Sequence, residues 1–316
     1  MNTRLVSHKS VGLRILKRML IVSIILLMAR VSHSLPPAYH MTNNGLRIDG
    51  VTPQSPMIYD NDWWTDVPDA AFIWTLASEK KCDLRGNIVS MDMWGCPDHY
   101  QFTMQECMND CRKLLKAART SGLHNIPDPV EGASIALNKP ASGKIEDTQY
   151  QPTPGSALIV KEAMRASPHK PLLIFCGGPC TTVATAYLTQ PAIAERMIVF
   201  QVDGGAYNGK DHWAWEIVKQ RCHFANWAKG YFWGDVSKWN PDVFQSLPSN
   251  PLGIFLRAYA SGIGKSNQWG DGSWIYYTFD HRCISKVEDY DGVAITVPKD
   301  GVNVKAIEDL YLSVMK

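Results

Sequence analysis

The order of its apolar segments constrains the fold of this chain more than any other sequence feature. Short strand-like runs such as KPLLIFCGG (170–178) and ERMIVFQVDGG (195–205) enclose the helical segment TTVATAYLTQ, and both runs end in paired glycines. Strands that alternate with helices form a parallel sheet that helices cover on both faces. The sequence therefore predicts an α/β fold with a mainly parallel, Rossmann-like open central sheet flanked by helices.

Hydrophobic periodicity predicts the remaining elements. Strands are expected in SPMIYD and DLRGNIVSMDMW, and helices over residues 69–78, 103–122, 155–167 and 303–316. Residues 223–275, rich in Trp, Gly and Pro, are expected to form irregular excursions near the carboxyl edge of the sheet. Since no low-complexity linker and no internal repeat follows residue 40, residues 35–316 are predicted to form a single domain.

The N-terminus has the features of a targeting segment. Arg14, Lys17 and Arg18 precede the apolar run MLIVSIILLMA (19–29), which is short for a membrane span, and small residues follow it. We predict a signal peptide over residues 1–34 and a secreted or extracytoplasmic protein. An uncleaved membrane anchor is the first alternative and a cytosolic protein the second. Eight cysteines fit an oxidising compartment, but their spacing does not define disulfide pairs.

Composition and charge narrow the classes of function. The chain is 45% hydrophobic and 20% charged, as is usual for a globular enzyme. Its net charge of +2 comes from mixed signs without a long basic block. Nucleic-acid binding through phosphate contacts is therefore not expected.

An acidic cluster in SPMIYDNDWWTDVPDAAFIW (55–74) is the first candidate functional site. Asp60, Asp62, Asp66 and Asp69 lie within ten residues, and four carboxylates so close together repel each other unless a cation or a substrate compensates them. Capping of the helix that begins near Asp69 explains one or two of these carboxylates. It does not explain four beside two tryptophans.

Two known acidic motifs fit this cluster less well. An EF-hand loop that starts at Asp60 would need glycine and glutamate where the chain has Thr65 and Ala71. An aspartyl phosphatase of the haloacid dehalogenase type would need Thr or Val at the position of Trp64, so it is kept as a weaker alternative. A hard cation such as Ca²⁺, bound by carboxylate and carbonyl oxygens, fits the residue types best.

Three segments resemble the inosine–uridine nucleoside hydrolases. YDNDWWTDVPDAAFIWTLA resembles the signature of that family, an Asp-x-Asp near a strand end followed by Asp-Asp-Ala at a helix start. Residues 172–207 resemble its strand–Thr-Gly-Gly–helix segment, and GDGSWIYY (270–277) resembles its late His-Asp-Pro segment. The matches occur in the family's order and extend over about residues 55–316.

The resemblance implies one Ca²⁺ ion and a calcium-dependent hydrolase that cleaves the N-glycosidic (ribosyl) bond of nucleosides or related compounds by metal-activated water. Asp62 would be both a metal ligand and the catalytic base. The other implied metal ligands are Asp69, Asp271 and the backbone carbonyl of Cys176. The implied substrate-binding residues are Asp60, which would lie behind the ligands, and Asp66, Asp92 and Glu216. The expected partner is a small nucleoside or ribosyl-like molecule, and a homo-oligomer is left open.

Two departures from the family pattern keep an alternative function open. The paired aspartates are Pro68–Asp69 here, and the histidine before the late aspartate is Gly270. The alternative is therefore a catalytically impaired, calcium-dependent protein that binds nucleosides or sugars. A cysteine nucleophile at Cys176 is a third interpretation, but no histidine accompanies it in the sequence.

Overall fold

A computed structural model describes residues 38–62, 67–91, 103–202, 211–227, 240, 242–263, 273–290 and 292–316. The predicted site residues Asp66, Asp92 and Asp271 lie outside these ranges, and so does the predicted targeting segment. The signal peptide, the domain boundary near residue 35 and the location of the protein therefore stay predictions. No helix within the described ranges is long and apolar enough to cross a membrane.

Eight strands within the described ranges form the central sheet. The strands, numbered along the chain, are β1 Tyr39–Thr42, β2 Gly45–Ile48, β3 Pro56–Asn61, β4 Asp83–Val89, β5 Pro129–Glu131, β6 Leu172–Cys176, β7 Met197–Gln201, β8 His223–Trp227, β9 Glu288–Tyr290 and β10 Val293–Val297. The sheet has the order β5-β4-β3-β6-β7-β8-β10-β9, and β1 and β2 form a separate antiparallel pair. Among the strands that the structure describes, only β9 runs antiparallel to its neighbour in this sheet, which confirms the predicted mainly parallel fold.

Helices cover both faces of this sheet. They are α1 Val67–Ser78, α2 Met104–Thr120, α3 Pro154–Arg165, α4 Thr181–Thr189, α5 His212–Arg221, α6 Pro251–Ile263, α7 Ser273–Phe279 and α8 Val304–Met315. The five predicted helices correspond to α1, α2, α3, α4 and α8. Gly122, the predicted helix end, follows α2 with a φ of +93°, a backbone conformation that glycine adopts without steric cost.

The side chains of each strand alternate between the two faces of the sheet, so the core has two layers. Met57 and Tyr59 of β3 pack in a cluster with residues of α1, α2, α7 and α8, whereas Ile58 packs with residues of α3, α4 and α5. Successive side chains of a strand point to opposite faces, so a strand buried on both faces must be apolar throughout. This explains the continuous apolar runs and gives a helix–sheet–helix sandwich.

Helix α1 is buried along its whole length. All twelve of its residues are buried, and Asp69 in its first turn has no exposed surface. A helix that is apolar on every side belongs inside a large core rather than at its surface. Burial on all sides fixes α1, and with it Asp69, relative to the sheet.

The prediction of irregular structure over residues 223–275 is wrong where β8 and α6 form, and α7 also begins inside this range. HFANW forms β8 in the sheet interior, between β7 and β10. Helix α6 begins at Pro251, a residue that suits the first turn of a helix. It contains Gly253, where a Cβ atom would collide with the Pro248 carbonyl. Here glycine serves close packing within a helix and does not mark a loop.

Candidate functional site

The candidate site lies where β3 and β6 end side by side. Asp60 is the register partner of Cys176, and the Gly177 amide donates a hydrogen bond to the Asp60 carbonyl at 2.7 Å. Asp62 follows β3, and a Cβ atom at Gly178 would lie only 3.2 Å from its Cβ atom. The glycine turn after β6 therefore packs directly against the buried Asp62 side chain. In open parallel sheets, ligands bind beyond these carboxyl ends.

Asp60 is a buried carboxylate with an incomplete set of partners. Its Oδ1 atom accepts a hydrogen bond of 2.5 Å from the Ser90 hydroxyl. Its Oδ2 atom, also buried, has no hydrogen-bond partner in the described part of the chain. Burial raises the pKa of Asp60 from 3.8 to about 7, although hydrogen bonds from Ser90 and Thr182 act in the opposite direction. A neighbouring cation would stabilise this carboxylate in its charged form.

Asp69 lies in the first turn of α1, the helix that follows β3 along the chain. Its Oδ1 atom accepts a hydrogen bond of 2.6 Å from the hydroxyl of Tyr276 on α7. Burial and the nearby Asp69 charge hold the pKa of Tyr276 well above its ordinary value, so the hydroxyl keeps its proton and donates it. The position of Asp69 near a helix N-terminus also favours a negative charge.

The turn from Cys176 to Cys180 is held by Gln201, the last residue of β7. The Gln201 side-chain amide donates to the Gly178 carbonyl at 2.8 Å and accepts from the Cys180 thiol at 2.5 Å. The adjacent Cys180 thiol and burial hold the pKa of Cys176 well above its ordinary value. A protonated, buried thiol is a poor nucleophile, which disfavours the interpretation of Cys176 as a catalytic cysteine.

We expect Gln201→Met to destabilise this turn. The substitution keeps the length of the side chain but removes the Gln201 hydrogen bonds to the Gly178 carbonyl and the Cys180 thiol. A buried polar group that loses its hydrogen bond costs about 1–3 kcal/mol, so the free energy of unfolding should fall by about that amount in urea titrations. The control Gln220→Met changes an exposed residue whose hydrogen bond goes to Glu216 on the same helix. Equal stabilities of the two variants would contradict the prediction.

Glu216 is the one predicted substrate-binding residue that the structure places on a helix. It lies within α5, where it accepts a hydrogen bond of 2.8 Å from Gln220 and pairs with Lys219 at 3.4 Å. These contacts stay within α5 and do not connect Glu216 to Asp60 or Asp62. Its role, like those of Asp66, Asp92 and Asp271, stays a prediction.

Asn226 is a polar residue of this sheet that the sequence analysis missed. It is fully buried on β8, and neither polar atom of its side chain has a hydrogen-bond partner in the described ranges. Phe200 of β7 is the register partner of Ala225 of β8. The next residues of these two parallel strands, Gln201 and Asn226, therefore lie side by side at the same edge. A buried amide without partners is uncommon, and a bound water or ligand is one explanation for it. A lone asparagine inside the aromatic run HFANW is the signal that could have identified it.

Three buried carboxylates from β3 to the first turn of α1 fit a hard cation by their chemistry. Asp60, Asp62 and Asp69 are buried carboxylates, and the partnerless Oδ2 atom of Asp60 is the kind of oxygen that a nearby cation stabilises. The described residues alone contain no group of three His, Cys, Asp or Glu side chains that could hold a metal ion. The predicted ligand Asp271 lies outside them, so the full ligand set stays a prediction.

Comparisons with known proteins identify the fold. No protein-family model and no curated protein matches the chain by sequence. Among solved structures, the plant nucleoside hydrolase PpNRh1 matches with a TM-score of 0.56 and 12% identity over 83% of this chain and 99% of that one. The purine-preferring ribonucleoside hydrolase from Gardnerella vaginalis matches with a TM-score of 0.55 and 14% identity, over 82% and 98%.

A third solved structure has the same fold and contains a bound ligand. The type III effector protein XopQ, in complex with adenosine diphosphate ribose, matches with a TM-score of 0.53 and 10% identity, over 83% of this chain and 95% of that one. The similarity extends over nearly the whole length of all three proteins, and the parallel sheet and its flanking helices account for it. The chain therefore has the nucleoside hydrolase fold.

Proposed function

We propose that this protein hydrolyses the N-glycosidic bond of nucleosides or related ribosyl compounds, with Ca²⁺ as its cofactor. The observation that carries the proposal is the placement of Asp60, Asp62 and the Cys176–Cys180 turn together at the carboxyl edge of the sheet. Two solved structures with the same fold are named as nucleoside hydrolases. The shared fold supports the same class of reaction for this protein.

The metal would be held by Asp62, Asp69, Asp271 and the Cys176 carbonyl. When bound, Ca²⁺ would supply Lewis-acid activation of water and orientation of the sugar hydroxyls. Asp62 lies at the end of β3 against the glycine turn, so its carboxylate would accept the proton of the attacking water. Its near-complete burial excludes bulk solvent and strengthens its electrostatic effect on the reacting atoms.

The same residues would stabilise the transition state. Breaking a ribosyl bond develops positive charge on the sugar, and a group of buried carboxylates stabilises that charge. The Asn226 amide, with one donor group and one acceptor atom, could pair with sugar hydroxyls. We therefore assign the sugar to this edge of the sheet.

The described part of the chain offers few candidates for the group that protonates the leaving base. Gly270 stands where the resemblance has a histidine, and His223 begins β8, at the edge of the sheet opposite Asp60 and Asp62. His212 begins α5 with its side chain 63% exposed. Substrates whose leaving group needs little protonation should consequently be hydrolysed faster than inosine or uridine.

Turnover of three substrates tests this function. Inosine, uridine and p-nitrophenyl riboside are compared in Ca²⁺ and in chelator, with wild type and Asp62→Ala. Hydrolysis that chelator prevents, that Ca²⁺ restores and that Asp62→Ala abolishes would support the proposal, with p-nitrophenyl riboside the fastest substrate. Absence of turnover for all three, in a protein that binds Ca²⁺, would refute the hydrolase.

A binding protein of the same fold is the second candidate. The observation in its favour is Pro68, which lies in the first turn of α1 directly before Asp69, where the resemblance has a second carboxylate. The structural neighbour XopQ was solved with adenosine diphosphate ribose. Tight, calcium-dependent binding of adenosine diphosphate ribose or a nucleoside by calorimetry, without release of base or ribose, would favour this candidate over the enzyme.

A further inference from the structure

A buried hydrogen bond joins the two helices that follow the predicted metal-binding segments. Asp69 belongs to α1, which follows Asp62, and Tyr276 belongs to α7, which begins two residues after Asp271. The Tyr276 hydroxyl donates to Asp69 Oδ1 at 2.6 Å, and both side chains are fully buried. This bond spans 207 positions of the chain and reaches a predicted ligand directly.

The ring of Tyr276 has little freedom to move. It lies 4.6 Å from the ring of Phe72, one turn further along α1, and 6.3 Å from the ring of Tyr311 on α8. Close packing between aromatic rings at these distances fixes the direction of the hydroxyl. The donor is therefore set by the core and does not have to be ordered when a ligand binds.

We propose that Tyr276 is a positioning residue of the candidate metal site, which fixes the rotation of the Asp69 carboxylate and keeps α7 in register with α1. This inference rests on the proposed function, because it takes Asp69 as a ligand of Ca²⁺. Rotation about the terminal torsion of an aspartate is otherwise broad. A hydrogen bond from a hydroxyl to a carboxylate is short and strong, so it selects one orientation.

A purely structural role makes a different prediction. If the hydroxyl only satisfied its own need for a buried acceptor, its removal would lower the melting temperature and leave cation affinity unchanged. If it orients a ligand, its removal weakens cation binding as well. Hydrogen bonds that orient metal ligands are typically worth about 10- to 100-fold in metal affinity or activity.

Calorimetric titration of the whole protein with Ca²⁺ tests the proposal. Tyr276→Phe keeps the ring that packs on Phe72 and removes only the hydroxyl, and we expect it to bind Ca²⁺ about 10- to 100-fold more weakly than wild type. The control Tyr277→Phe removes a hydroxyl from the next residue of α7, whose ring packs on Trp274 and His281 instead. It should bind Ca²⁺ as wild type does. Circular dichroism confirms that both variants fold.

The outcomes separate this inference from the proposed function. Equal Ca²⁺ affinities of wild type and Tyr276→Phe, or a wild type that does not bind Ca²⁺, would overturn the positioning role. Weaker binding by Tyr276→Phe alone would support it, even if wild type hydrolyses no nucleoside and the proposed function fails. Where turnover is measurable, we expect Tyr276→Phe to need more Ca²⁺ for half-maximal rate, and excess Ca²⁺ to restore most of kcat.

Discussion

Asp62→Asn is expected to lower kcat for p-nitrophenyl riboside by about 10²- to 10⁴-fold, the usual contribution of a positioned general base. Asparagine has the shape of aspartate, so the packing of Gly178 against residue 62 should persist. The amide cannot accept a proton from water, and it carries no charge to stabilise the developing sugar cation. Initial rates at saturating substrate and Ca²⁺ measure the effect, because they report kcat without the contribution of substrate binding.

A distant carboxylate provides the control for this substitution. Asp128 has its side chain 80% exposed, pairs with Arg119 and precedes β5 at the amino end of that strand, away from the candidate site. Asp128→Asn removes the same charge from the protein and should leave kcat unchanged. If Asp62→Asn retained kcat within a factor of two of this control, Asp62 could not be the base.

The sequence was sufficient to predict the parts of the fold that depend on local pattern. β6 and β7 are continuous apolar runs because both faces of the sheet are covered, and α2 has apolar residues at helical spacing because one side of it faces solvent. Helix α1 was also predicted, although it is buried on all sides. The resemblance implied that Asp62 and Cys176 bind one ion with Asp60 behind them, and the structure places Asp60 beside Cys176 and Asp62 against Gly178.

Contacts between distant segments could not be predicted in this way. Tyr276 occurs in an aromatic run, and the packing of α7 on α1 and α8 decides which ring of that run faces Asp69. Gln201 gains its role from its place beside the turn after β6. β8 was missed because its five residues include the polar Asn226, which interrupts the apolar pattern in a central strand. Each case depends on tertiary neighbours that periodicity does not encode.

Asp69→Asn is the second large expected effect, and it concerns the cation rather than the reaction rate. Asparagine can still accept the Tyr276 hydrogen bond through its carbonyl oxygen, so α1 and α7 should stay joined. What is lost is a full negative charge in a buried site. Two unit charges 4 Å apart interact by about 4 kcal/mol at an effective dielectric constant of 20, and each 1.4 kcal/mol is about tenfold in affinity. We therefore expect at least about 100-fold weaker Ca²⁺ binding by calorimetry.

The same substitution should remove the stabilisation that Ca²⁺ gives to the fold. A ligand at about 100 times its dissociation constant stabilises the native state by about 2.7 kcal/mol, which for a domain of this size raises the melting temperature by roughly 5 °C. Wild type and Asp128→Asn should show this rise on addition of Ca²⁺, whereas Asp69→Asn at the same Ca²⁺ concentration should not. Retained affinity together with a retained rise in Asp69→Asn would mean that the cation binds elsewhere, because a buried ligand cannot lose its charge without cost to the bound state.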